Sequence, residues 1–103
     1  MDARDDGTIR TAIAQKRLIQ FTLRGKVRIA EPHDYGIRDG APQLLVYQIG
    51  GESSSGKLPN WRWVVLAHAS GFQLLDRSFA GRRPAPSGRH SPWDQIFVRV
   101  DET

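Results

Sequence analysis

Residues 18–30 read LIQFTLRGKVRIA, and this stretch decides the fold class of the chain. Its first half alternates apolar with polar side chains, as a half-buried β-strand does, and places Ile19, Phe21 and Leu23 on one face. A tight turn at residues 24–26 follows, and a second β-prone run begins directly after it. The stretch therefore predicts two antiparallel strands joined by a short hairpin.

A short helix at about residues 9–17 is predicted before the first strand. Its apolar side chains recur at helical spacing and share one face: Ile9, Ala12 and Ile13. Thr8 is the predicted N-cap, and the acidic residues before it favour a helix N-terminus. Residues 1–8 are predicted to be a disordered lead.

The β-pattern continues after the first hairpin. Pro32 has no backbone N–H to donate, so the second strand is expected to bend, bulge or lie at an edge there. Residues 38–40 (RDG) predict another hairpin. Further strands are predicted at residues 43–49, 61–68 and 72–76. The predicted fold class is therefore mainly β, a small and partly open β-barrel of about five strands with an N-terminal helix.

A change in composition near residue 80 sets the predicted domain boundaries. Residues 9–80 are the predicted barrel domain, and residues 81–92 are a basic loop rich in proline and glycine. Residues 93–103 are a β-prone C-terminal appendage. We expect the appendage to return to the domain as an added edge strand or as a short helix beginning near Ser91-Pro92.

The chain carries a net charge of +4, and its basic surplus is unevenly distributed. Residues 77–90 contain four arginines and no acidic residue. Such a surplus permits attraction to polyanions without requiring it. The absence of cysteine excludes disulfides and cysteine-based metal sites. Because the sequence contains no signal peptide and no run of about 20 apolar residues, we expect a cytoplasmic protein that does not enter a membrane.

The sequence lacks the patterns of catalytic and metal-binding sites. Residues 51–58 (GESSSGKL) imitate a phosphate-binding loop, but Leu58 stands where that motif requires Ser or Thr. The three histidines lie far apart, and the nucleophile motif of serine hydrolases is missing. We therefore predict no enzyme, no metal and no cofactor. A small hydrolase that uses His33 and Asp34 is the least favoured alternative.

The tripeptide Trp61-Arg62-Trp63 is the most informative candidate site. In a strand, Trp61 and Trp63 share one face and Arg62 lies on the other. Large aromatic side chains more often fill a core than bind a ligand, and in that interpretation Arg62 points outward. In the functional interpretation, Arg62 projects into a groove and pairs with phosphate or carboxylate.

The order of several short segments between residues 9 and 66 carries a resemblance to a known family. They are the helix at 9–13, the strand at 18–21, Arg28 followed by Glu31-Pro32, residues 36–40, the strand at 43–47, and Arg62 followed by Leu66. Together they resemble the WYL-domain family. The triplet that names the family is replaced here by Gln43-Leu44-Leu45. The resemblance implies an SH3- or Sm-like barrel that acts as a regulatory sensor of nucleotides or nucleic acid, commonly in transcription regulation.

The predicted function is a non-enzymatic module that binds an anionic ligand, either nucleic acid or a nucleotide-like effector. The arginines would contact phosphate and the rings would stack or hydrogen-bond. The predicted ligand-binding residues are Arg62, Arg28, Tyr47, His33, Trp61 and Trp63. Diffuse, salt-sensitive phosphate contacts are predicted for Arg82, Arg83 and Arg89. The alternative is a protein-interaction or self-assembly module whose exposed sheet edge pairs with a partner or a second copy.

Overall fold

The computed structural model describes residues 3–52, 57–83 and 93–100. These residues form one helix, α1 (Ala3–Gln15), and six antiparallel strands in a sheet that does not close within the described chain. The strands are β1 (Arg17–Leu23), β2 (Lys26–Arg38), β3 (Ala41–Gly51), β4 (Asn60–Val65), β5 (Ala69–Ser78) and β6 (Gln95–Arg99), and a short 3-10 turn at Leu66–His68 joins β4 to β5. The predicted mainly β class and the N-terminal helix are confirmed.

Strand β2 organises the sheet, whose order is β4-β3-β2-β1-β5. Along one edge, β2 pairs with β3. Along the other edge, its first part pairs with β1, from Lys26 to Ala30, and its second part pairs with β6, from Asp34 to Ile37. The C-terminal appendage is therefore an added strand, which was one of its two predicted forms.

Two short hairpins set the registers around β2. Arg24 and Gly25 have φ angles of 51° and 78°, and Asp39 and Gly40 have φ angles of 54° and 76°. Two consecutive residues with positive φ are the mark of a type I′ turn, whose twist matches that of paired antiparallel strands. Both hairpins were predicted from their glycines, and both are confirmed.

Strand β2 bulges next to Pro32. Pro32 pairs with Val46 and Asp34 pairs with Leu45, so His33 is the extra residue on β2. This confirms the prediction of an irregularity at the proline. Every residue from Glu31 to Asp34 is buried, because both faces of the sheet are covered at this point.

Helix α1 packs on one face of the sheet through the three apolar residues predicted for it, and it begins earlier than predicted. Ile9, Ala12 and Ile13 are buried in the main core with side chains such as Phe21 and Val46.

The prediction of a disordered lead is wrong for residues 3–8, which are helical. The physical reason is tertiary: Asp6 accepts hydrogen bonds from the Tyr35 hydroxyl at 2.7 Å and from Arg10 one turn on, so Thr8 does not cap the helix. The helix ends at Gln15 instead of residue 17, because Lys16 adopts a positive φ of 55°.

Candidate functional site

The structure places the predicted ligand-binding residues on opposite faces of the sheet. Across β3 and β4, Val46 is paired with Arg62, and Tyr47 is paired with Trp61. Paired residues share a face and neighbouring residues alternate. Arg62 therefore lies on the face of the buried core residue Val46, while Tyr47, Trp61 and Trp63 lie on the other face. The structure therefore does not bring the predicted ligand-binding residues together on one face.

Two of the predicted residues, Arg28 and Arg62, meet on the core face at a shared acceptor. The Oε1 atom of Gln48 accepts a hydrogen bond from Nε of Arg62 at 2.8 Å and a longer one from Nη1 of Arg28 at 3.4 Å. We call these three side chains the arginine pair site. The amide of Gln48 is oriented by its other end, because its Nε2 donates to the carbonyls of Gly50 and Glu52.

Arg28 is the buried member of the arginine pair site. Its side chain is 2 % exposed, and its Nη2 donates to the Leu23 carbonyl at 3.4 Å. Its Nε is buried without a hydrogen-bond partner, and none of the described residues forms an ion pair with it. A buried guanidinium without a paired carboxylate is costly, since charge in an apolar environment needs compensation.

The local electrostatics also favour an anion. Burial lowers the pKa of Arg28, the positive charge of Arg62 lowers it further, and the carboxylate of Glu52 partly opposes this. Glu52 itself holds the end of β3 against β2, where its Oε2 accepts from the Val27 amide at 3.2 Å. An anion bound beside Arg62 would relieve the repulsion between the two guanidinium groups.

The other four predicted residues lie on the opposite face, in two aromatic groups. His33 contacts the edge of Trp61 at 4.8 Å between ring centroids, and Trp61 in turn contacts Tyr47 at 5.2 Å. Phe79, which follows β5, stacks on His33 at 5.5 Å. His33 is fully buried in this group, so it has no surface to offer a ligand.

Trp63 belongs to the second aromatic group. It lies 5.4 Å from Trp93, and the guanidinium of Arg38 stacks on it at 3.9 Å. Trp63 and Trp61 therefore lie on the face of the sheet away from α1, and neither belongs to the main core that packs under the helix, where the structural interpretation of the sequence expected them. The accompanying expectation that Arg62 points away from the protein is wrong, because Arg62 is half-buried and lies on the same face as the buried core residue Val46.

The arginines that were predicted to make diffuse phosphate contacts form ion pairs within the fold instead, as far as the structure describes them. Arg83 binds both carboxylate oxygens of Glu31, at 2.7 and 3.0 Å. Arg82 and Arg99 both approach Oδ1 of the fully buried Asp34, at 3.3 and 3.1 Å. Arg89 lies outside the described residues.

Sequence reasoning missed Gln48, which links the two arginines, and it missed the pairing of Glu31 and Asp34 with the C-terminal arginines. The alternation of β3 placed Gln48 on the face of Val46, but nothing local indicated that two cations would converge on it. These ion pairs join acidic residues of β2 to arginines about 50 positions later in the chain, so no short-range sequence pattern could reveal them.

The described residues provide little for other kinds of site. Residues 3–52, 57–83 and 93–100 contain no cluster of three or more acidic or histidine side chains suited to a metal ion. Within the same ranges no pocket is found. None of the helices in the described chain has the length and apolar character that a membrane crossing requires.

Comparisons with family models, with curated proteins and with solved structures found no match to this chain. The resemblance to WYL domains therefore stays a prediction, as does the SH3- or Sm-like identity of the sheet.

Proposed function

We propose that this chain is a non-enzymatic module that binds an anionic ligand of the phosphate class, either nucleic acid or a nucleotide-like effector. The observation that carries the proposal is the arginine pair site, in which two guanidinium groups converge on one amide oxygen. The resemblance to WYL domains supports the same ligand class and a role in transcription regulation, on an SH3- or Sm-like barrel.

Arg62 is the residue that would contact the ligand directly. It is half-buried, whereas Arg28 is 2 % exposed. The Nε of Arg62 donates to Gln48 and so orients the guanidinium, and a guanidinium is the group that binds phosphate through charge-assisted hydrogen bonds. Arg28 would act from behind, by adding positive potential and by holding the shared amide. This role differs from the direct phosphate contact that the sequence predicted for Arg28.

An oligonucleotide titration tests the proposal. Fluorescence anisotropy of a short labelled single strand would be measured with the wild-type chain, with Arg62→Gln and with Arg77→Gln, at several salt concentrations. Arg77 is an exposed arginine on β5, so this control removes the same charge from another surface. A hydrogen bond to a charged group contributes about 1.5–3 kcal/mol, so Arg62→Gln should weaken binding by about tenfold or more and Arg77→Gln far less. Equal losses in both variants, or no binding by the wild type at low salt, would contradict the proposal.

A second candidate function is assembly through a sheet edge. Strands β4 and β5 end the strand order, so each pairs on one side only within the described chain. The pairing of β6 with β2 favours this candidate, because it is an example of a strand added to this sheet from a distant segment. Sedimentation velocity over a wide concentration range tests it, and a monomer throughout would count against it.

A further inference from the structure

The side chain of Arg83 occupies a small cage on the face of the sheet opposite the arginine pair site. Its Nε and Nη2 donate to the two carboxylate oxygens of Glu31, at 2.7 and 3.0 Å. Its guanidinium stacks on the ring of Tyr47, with 4.4 Å from Cζ to the ring centroid. A bidentate carboxylate and an aromatic face together match the planar fork of arginine, which the ammonium of lysine cannot reproduce.

The walls of this cage are fixed without Arg83. Glu31 on β2 is paired with Tyr47 on β3, so two hydrogen-bonded strands hold the carboxylate and the ring side by side. Trp61 packs edge-on against Tyr47 from the next strand. Glu31 is only 5 % exposed at its side chain, and a buried carboxylate is costly unless it is paired with a cation.

The occupant arrives on a different segment and is partly open to solvent. Arg83 lies after β5, and its side chain is 47 % exposed. Its backbone N–H donates to Nε2 of His33 at 3.2 Å. The hydrogen bonds to Glu31 are the main cause of a raised pKa of Arg83.

We propose that Glu31 and Tyr47 form a recognition site for the arginyl side chain of another polypeptide, and that Arg83 occupies this site in cis. The ligand is a guanidinium group on a peptide. It binds to Glu31 and Tyr47 in place of Arg83, after Arg83 has left the site. The site lies on the face away from Arg62, so this inference does not depend on the proposed anion binding. Its failure and the failure of that proposal would be observed separately.

Arg83 competes with any such ligand from within the same chain. A tethered group acts at an effective concentration of about millimolar or above, so a free arginine derivative cannot displace it from the wild type. The variant Arg83→Ala vacates the cage in the full-length chain and makes the site accessible to small probes.

The experiment measures the thermal midpoint of Arg83→Ala with added N-acetyl-arginine amide, using N-acetyl-lysine amide at the same ionic strength as the matched probe. We expect the arginine derivative to raise the midpoint saturably, at about millimolar concentration, and the lysine derivative to have little effect. Wild type and the exposed-site control Arg77→Ala should show no such difference. If Arg83→Ala does not fold, Arg83→Lys keeps the positive charge and is titrated in the same way.

A response that does not distinguish arginine from lysine, or one that equals the response of Arg77→Ala, would overturn the proposal. The proposal would also be overturned if N-acetyl-arginine amide still raised the thermal midpoint of the double variant Glu31→Gln/Arg83→Ala, because that variant lacks the carboxylate. Sedimentation of the wild type distinguishes two sources of the arginine. A dimer that Glu31→Gln dissociates assigns the ligand to a second copy of this chain, and a monomer assigns it to a separate polypeptide.

Discussion

Arg28 and Arg62 approach each other through a single atom, the Oε1 of Gln48, although they lie on strands that are not adjacent in the sheet. Strand β3 separates the two strands and supplies the amide between them. The arrangement concentrates positive charge at one end of the core face, and Gln48 itself contributes no negative charge to balance it. This relationship underlies the proposed anion binding and the first prediction.

Replacing Gln48 should destabilise the fold strongly. In Gln48→Leu, the buried guanidinium of Arg28 loses its side-chain acceptor, and the carbonyls of Gly50 and Glu52 lose the Nε2 donor. Leaving buried polar groups unpaired costs about 1–3 kcal/mol each, so we expect a loss of about 2–4 kcal/mol in the free energy of unfolding. Urea unfolding measures it, with Gln73→Leu at an exposed position of β5 as the control. Similar stability of the two variants would show that the network is energetically unimportant.

Asp34 should be the most important acidic residue for attaching the C-terminal segments. Its carboxylate is fully buried and contacts both Arg82 and Arg99. Breaking a buried ion pair leaves uncompensated charge and costs about 3–5 kcal/mol, so Asp34→Asn should lose about 3 kcal/mol of unfolding free energy. Asp39→Asn is the matched control, because Asp39 is 81 % exposed and lies 3.8 Å from Arg38. A change of less than about 1 kcal/mol in Asp34→Asn would refute the assignment.

The hydrogen bond between Tyr35 and Asp6 should make stability depend on pH at both extremes. The Tyr35 hydroxyl lowers the pKa of Asp6 from its ordinary 3.8, and burial followed by the bond to Asp6 raises the pKa of Tyr35 above its ordinary 10.0. The contribution of Asp6 is complete above its unfolded pKa and is lost as the pH falls through the lower folded value. The contribution of Tyr35 is complete below pH 10 and is lost as the pH rises toward the higher folded value.

The substitution Tyr35→Phe removes both contributions. We expect a loss of about 1 kcal/mol at neutral pH and a flatter stability profile at acidic and alkaline pH. Urea unfolding as a function of pH measures this, and Tyr47→Phe, which leaves Asp6 untouched, is the control. An unchanged profile in Tyr35→Phe would be inconsistent with the hydrogen bond.

His33 should be locked in one tautomer. Its Nδ1 lies 3.0 Å from the Glu31 carbonyl, which can only accept, and its Nε2 lies 3.2 Å from the Arg83 amide, which can only donate. The proton must therefore be on Nδ1 in a neutral ring. Long-range proton–nitrogen correlation spectra distinguish the tautomers, with the exposed His68 as an internal reference. A proton on Nε2 would contradict the observed packing of residues 79–83 on β2.

The parts of the fold that were predicted correctly depend on local chemistry. The glycines at positions 25 and 40 indicated the hairpins, and the spacing of Ile9, Ala12 and Ile13 indicated the buried helix face. Both features are properties of a few neighbouring residues. The helix start was not predictable in this way, because Asp6 is held by Tyr35 on a distant strand.

The candidate site was predictable only in part, for a related reason. The alternation of side chains along a strand separated Arg62 from Trp61 and Trp63, yet it could not predict which face of the sheet would pack against α1. That choice depends on how the whole sheet packs, and it placed Arg62 beside Arg28 at the end of the core. The basic residues after β5 looked like a surface for polyanions, but Glu31 and Asp34 pair with those that the structure describes.

The most direct test of the anion-binding account observes the Nε–H groups of the arginines by NMR while pyrophosphate or a short oligonucleotide is added. The account predicts that the resonances of Arg28 and Arg62 shift together along one saturation curve, while that of the exposed Arg77 stays in place. It would be contradicted if the ligand bound without moving either resonance, or if it moved Arg77 as far as it moved Arg62.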